Sequence, residues 1–182
     1  HAACEEYLKT RVMDVEKCLM SIVSAWDQKG FPDTEKWAQW AKDCLDEVPA
    51  WLDETFPGWE TVSAEEALYE SIEDHGAYFK GFVDCLIKVP REKGGYDIWV
   101  LDWKTAGAGG WSAEKRQNPL TLAQVALYKS YLTNKHKELF DGARYVKCGY
   151  ILLKKGAKAG KRVELFTVSV GPVAMQKANT LV

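Results

Sequence analysis

Two aspartates stand inside otherwise apolar stretches. Asp84 lies in FKGFVDCLIKV (79–89) and Asp102 in LDWKT (101–105), with Lys104 two residues after the second. Side chains alternate along a strand, so Asp102 and Lys104 share a face with Ile98 and Val100, while Trp99, Leu101 and Trp103 take the other. In the preceding stretch Phe82, Asp84 and Leu86 share a face, and from a neighbouring strand Asp84 reaches Asp102 across the ladder. Two like charges so close keep one carboxyl protonated or hold a cation between them. Hard oxygen ligands suit Mg2+ or Mn2+, ions that polarise a phosphoryl oxygen and lower the pKa of a bound water. An ammonium at the same place orients that water or stabilises the developing negative charge. The set suits phosphodiester hydrolysis. The same spacing also fits two strand-end charges with Lys104 as their solvated partner, and spacing alone leaves both readings open.

Two more positions bear on that chemistry. Leu120, Ala123, Gln124, Leu127, Tyr128, Tyr131 and Leu132 fall on one stripe of a helix over 120–138. A glutamine in a buried stripe needs a partner. Gln124 either bonds near the site or to a nucleotide, or is satisfied within the core. His1 and Glu5 lie one turn apart at the start of a helix. A first-residue histidine equally fits the remnant of an expression tag.

The elements that must position these residues follow from periodicity. Residues 2–29 read as one helix, ended by KGFPD, and a second helix runs from Thr34 to about Leu45 behind Asp33 as N-cap. EVPAWLDETFPGWE reads as a short helix and a loop. Strands follow at 61–73, 77–89 and 97–105, a meander with REKGGY as its second turn. A loop runs from AGAGG to Pro119, then the helix 120–138, strands at 144–153 and 162–170, and a final helix opening at GPVAMQ. The order predicts an α/β or α+β fold with a central mixed sheet of about five strands flanked by helices.

Bulk properties set the bounds. The 182 residues are 47% hydrophobic, enough for one domain with a core. Starting at His1 without a Met, and stopping at ANTLV, the chain reads as a fragment lacking its native N-terminus and C-terminal helix. No run of 18 apolar residues exists, so no membrane span is expected. Five scattered cysteines without a C-x-x-C pair argue against a disulfide framework or a zinc site and for buried thiols in a reducing cytoplasm. The net charge of −2 hides a strong segregation: thirteen acids face two lysines between Asp33 and Asp74, and seven basic residues face no acid between Ala143 and Arg162. Within the basic stretch Lys154, Lys155, Lys158, Lys161 and Arg162 are candidate phosphate contacts, although a solvated hairpin tip has the same composition.

Taken in order on strand, strand and helix, GFVD (81–84), DWK (102–104) and Q-x-x-x-Y (124–128) resemble the motifs of the PD-(D/E)XK nuclease superfamily, specifically its RecB-like and phage exonuclease branch. HAACEEYL matches the tail of that branch's G-x-x-x-H motif, which favours a native His1. The resemblance implies a restriction-endonuclease-like core and a divalent-metal-dependent deoxyribonuclease, an exonuclease rather than a restriction enzyme, hydrolysing DNA with Mg2+ or Mn2+. It implies Asp84, Asp102 and His1 as metal ligands, Lys104 as the residue assisting the nucleophilic water, and Gln124 with Tyr128 as supports for the site or the DNA. The family's first-strand acid corresponds to Glu66, with Glu65 and Glu70 as competitors. Some relatives bind an iron–sulfur cluster through clustered cysteines, and the scattered cysteines here lead to the expectation of none. The competing reading is a non-catalytic module that binds nucleic acid or a protein partner, its acidic segment facing a basic surface or imitating DNA.

Overall fold

The computed structural model describes residues 1–72 and 77–179. Three helices come first: α1 (Ala2–Thr10), α2 (Val15–Gln28) and α3 (Thr34–Thr55). A meander follows: β1 (Glu60–Ile72), β2 (Ala77–Pro90) and β3 (Tyr96–Ala106). The segment α4 (Ala113–Gln117), α5 (Pro119–Lys135) and α6 (Lys137–Asp141) crosses over to β4 (Val146–Lys154), which turns into β5 (Val163–Val168) and α7 (Pro172–Asn179). The strands form one sheet in the order β1-β2-β3-β4-β5, with β3 and β4 parallel and every other pair antiparallel. This is the expected five-stranded mixed sheet with helices on its faces.

Both faces are covered. On one, α1 and α3 bury Leu8, Val48, Leu52 and Phe56 against Cys85, Ile87, Leu101, Trp103 and Ile151. On the other, Val125, Tyr128 and Leu132 of α5 and Phe140 of α6 pack on Leu86, Ile98, Val100, Tyr150 and Leu152. The alternation read from β3 is therefore present, with Ile98 and Val100 towards α5 and Leu101 and Trp103 towards α1 and α3. A central strand covered on both sides is a near-continuous apolar run. That is why a carboxylate in it, Asp102 at 2% exposure, stands out.

Three helix expectations need correction. The first helix is two, because Arg11 turns left-handed (φ 62°) and Asp14 starts α2 by accepting the Lys17 backbone N–H. Arg11 is fixed there by its guanidinium, 3.3 Å from the Trp59 ring centroid and donating to the Trp59 carbonyl. Second, α3 does not stop near Leu45 but runs through Pro49 to Thr55. A proline inside a helix costs about 3 kcal/mol. Full burial of Val48 and Leu52 on either side of it, at roughly 1.5–3 kcal/mol each, offsets it. Third, the long helix ends at Lys135, and the loop before it contains α4, capped by Ser112 accepting from the Lys115 N–H. Residue 73, the expected end of the first strand, lies outside the described residues. Among the described residues no helix is long and apolar enough to cross a membrane.

Candidate active site

The β2–β3 ladder ends at Cys85↔Leu101, one step before Asp84 and Asp102. There the Asp84 side chain replaces a backbone partner: its Oδ2 accepts the Trp103 N–H at 2.8 Å. The β1–β2 ladder is interrupted at the same level. A register shift lies between Thr61 and Ser63, and Glu65, which has a left-handed φ of 54°, drops out between the pairs Ala64↔Cys85 and Glu66↔Val83. Such irregularities re-aim a side chain. Here one ligand atom each of Glu65, Asp84 and His1 lies within 4.8 Å of the others. His1 comes from the start of α1, with Nδ1 3.2 Å from Asp84 Oδ2.

Asp102 of β3 lies close enough to feel the charges of Asp84 and His1. Lys104 Nζ is in ion-pair contact with its Oδ2, and Gln124 Nε2 donates to its Oδ1 at 3.2 Å. Gln124 is itself held, donating to the Tyr128 hydroxyl at 2.9 Å and accepting from the Tyr150 hydroxyl at 3.3 Å. The glutamine in the helical stripe thus has its partner in the Asp102 carboxylate. Asp102 Oδ2 is fully buried and, apart from the ammonium contact, accepts no hydrogen bond. Gly81 explains the first position of GFVD: a Cβ there would lie 3.0 Å from the Tyr128 ring. The glycine leaves room for the Tyr128 ring against β2.

The electrostatics match a site built for a cation. Burial, with Asp84 nearby, pushes the Asp102 carboxyl up to about 6 despite Lys104. Burial, then Asp84 and Glu5, also raises Glu65. The bond to Asp84 raises His1. Burial is the larger cause for both carboxyls, and the neighbouring negative charge adds to it. One imidazole, hard carboxylate oxygens and a buried oxygen short of donors fit Mg2+ or Mn2+.

Other expected residues lie elsewhere. Glu66 does not face the site: Lys135 Nζ and His136 Nε2 hold its carboxylate at 2.8 and 2.7 Å, with Ser63 as a third donor. The carboxylate of β1 that lies beside His1 and Asp84 is that of Glu65, and strict alternation could not show this because the left-handed residue reverses parity. The Glu70 side chain lies outside the described residues. Glu5 pairs with Lys9 rather than joining His1. In the basic stretch, Arg162 is bound to Asp43 and Glu47 of α3, and Lys154 to Glu164, so neither is free for a phosphate. Lys155 stands 4.7 Å from the Trp37 ring centroid. Lys158 and Lys161 are exposed. Cys4, Cys44, Cys85 and Cys148 are buried and Cys18 is half-buried.

The family model of the PD-(D/E)XK nuclease superfamily matches residues 1–178 of this chain, and the chain belongs to that superfamily. The fold is correspondingly the restriction-endonuclease-like one. Membership implies a nuclease with nucleic acid as its substrate class, and nucleases of this superfamily use divalent metals, typically Mg2+ or Mn2+. No curated protein matches the chain.

Proposed function

We propose that the chain is a divalent-metal-dependent deoxyribonuclease of the RecB-like and phage exonuclease branch, with residues 1–182 forming one nuclease domain. The observation that carries this reading is the convergence of His1, Glu65 and Asp84 within 4.8 Å, beside the Asp102–Lys104 pair. In this reading His1, Glu65, Asp84 and Asp102 hold Mg2+ or Mn2+. When bound, such an ion would polarise a phosphoryl oxygen and lower the pKa of a coordinated water.

The chain's own groups do the rest. The Trp103 N–H fixes Asp84, and the Gln124 amide fixes Asp102, so neither carboxylate must be ordered when substrate arrives. Lys104 keeps an ammonium at the centre, orienting the attacking water and stabilising charge that develops on the phosphoryl oxygens. His1 binds as the neutral imidazole, so its raised pKa makes metal uptake compete with a proton. The preference for DNA and for chain ends rests on the resemblance of GFVD, DWK and Q-x-x-x-Y to that branch.

The test is incubation with linear DNA, circular DNA and RNA in Mn2+, comparing the wild type with Lys104→Ala. The expected result is metal-dependent shortening of linear DNA that stops in the variant, with circular DNA intact. Cleavage in EDTA, or an unimpaired Lys104→Ala protein, would contradict the reading.

A further inference from the structure

Helix α2 carries Cys18, Ile22 and Trp26 at helical spacing, yet none of its residues is buried. These three line an open cleft of about 570 Å3 between α2, α3 and the ends of β3 and β4. Trp37 and Trp40 of α3 also line it, ring centroids 5.1 Å apart and nearly perpendicular. Trp40 is braced by the β4–β5 turn, where a Cβ on Gly156 would lie 3.3 Å from its ring. His1, the partner of Asp84, lines the same cleft.

Keeping three half-exposed indoles and an apolar helix side in contact with water is unfavourable, and such a concavity marks a binding site. The charge around it narrows the occupant. Of the charged residues lining the cleft, Glu6 is neutralised by Lys17 at 3.2 Å, whereas Lys155 keeps its ammonium over Trp37. The outer surface of α3 bears exposed Glu35 and Glu54, which repel a polyanion, whereas Asp46 and Asp53 are paired with Lys42 and Arg11. An occupant with a flat apolar face and an attached anion suits the interior and is turned away from the outside. Nucleobases meet that description, and indoles stack on any base because every base has a π-face. A base within a duplex is already stacked, so the occupant is an unpaired one.

We propose that this cleft is a stacking site for an unpaired nucleobase of the strand whose phosphodiester lies at the His1–Glu65–Asp84 centre, so that the protein engages frayed or single-stranded ends. The proposal rests on the nuclease reading for the location of the phosphodiester. The test leaves hydrolysis out: in EDTA, the 182-residue chain is titrated against a labelled short oligothymidylate and an abasic sugar-phosphate oligomer of equal length, and binding is followed by anisotropy. The oligothymidylate is expected to bind more tightly, and Trp37→Leu to weaken it about 5- to 150-fold while leaving the abasic oligomer unchanged. Thermal unfolding checks the variant's fold, and Trp26→Leu on the α2 side reads the same effect if Trp37→Leu does not fold. Equal affinity for the two oligomers, or tryptophan variants without effect, overturns the proposal. Failure of both oligomers to bind does so too and leaves the cleft to a protein partner. Hydrolysis in Mn2+ is scored separately, and its absence would remove the nuclease reading without altering the stacking result.

Discussion

Asp102 shows how the site trades stability for function. Its carboxyl in the folded chain titrates at about 6, above the ordinary 3.8. A raised carboxyl contributes stability below its unfolded value and loses it as pH rises through the folded value. In EDTA the wild type should therefore lose up to about 3 kcal/mol relative to Asp102→Asn between pH 4 and pH 7. Melting curves of the two proteins across that range test it, and Mn2+ should recover the loss in the wild type alone. Glu65 makes the same point through its backbone. A left-handed non-glycine residue costs roughly 1–2 kcal/mol, so Glu65→Gly should weaken Mn2+ binding in calorimetry without lowering the melting temperature. Lys104→Ala should lower the turnover rate about 10²- to 10³-fold, the scale of one lost charge-stabilising donor, while Mn2+ affinity is retained.

At the scale of elements, β1 carries two neighbouring glutamates with opposite duties. Lys135, Ser63 and His136 hold the Glu66 carboxyl below its usual range against the opposing effect of burial, and so tie β1 to the end of α5. A depressed carboxyl stabilises above its unfolded pKa and loses that contribution as pH falls through the folded value. Glu66→Gln should thus destabilise the chain by about 1–3 kcal/mol at pH 7, with a smaller effect at acid pH and no change in Mn2+ affinity. Glu65→Gln should do the reverse. Denaturant unfolding and calorimetry on both variants separate the two roles. The sequence showed the strands, their meander and the aspartates in β2 and β3 because apolar runs and lone charges persist whatever the details. It also showed Gln124 as a polar residue needing a partner. It concealed which glutamate faces the site, because a single left-handed residue reverses alternation. The break after α1 was hidden as well, since it is made by Arg11 on Trp59, residues far apart in the chain, and Asp14 was its one local sign. Pro49 misled for a related reason: tertiary burial of Val48 and Leu52 outweighs a local helix breaker.

Across the whole molecule, charge is segregated and partly cancelled. The acidic helix α3 takes Arg162 for itself, and Glu47 accepts the Gly160 and Arg162 backbone N–H groups, so the β4–β5 turn is anchored to α3. Part of the basic stretch is therefore a structural clasp. Replacing Lys158 and Lys161 by glutamine should reduce the salt dependence of DNA binding, by about 0.9 in the log–log slope for each phosphate no longer neutralised, and leave stability unchanged. Arg162→Ala should mainly destabilise the turn. All of this presumes that two strands and the first helix deliver their ligands to one cation. Anomalous diffraction from crystals soaked in Mn2+ tests that most directly. A single strong peak is expected, coordinated by Asp84 and Asp102, with His1 and Glu65 completing the protein ligands and Lys104 beside it. No peak between those carboxylates, or Mn2+ bound only elsewhere, would contradict it.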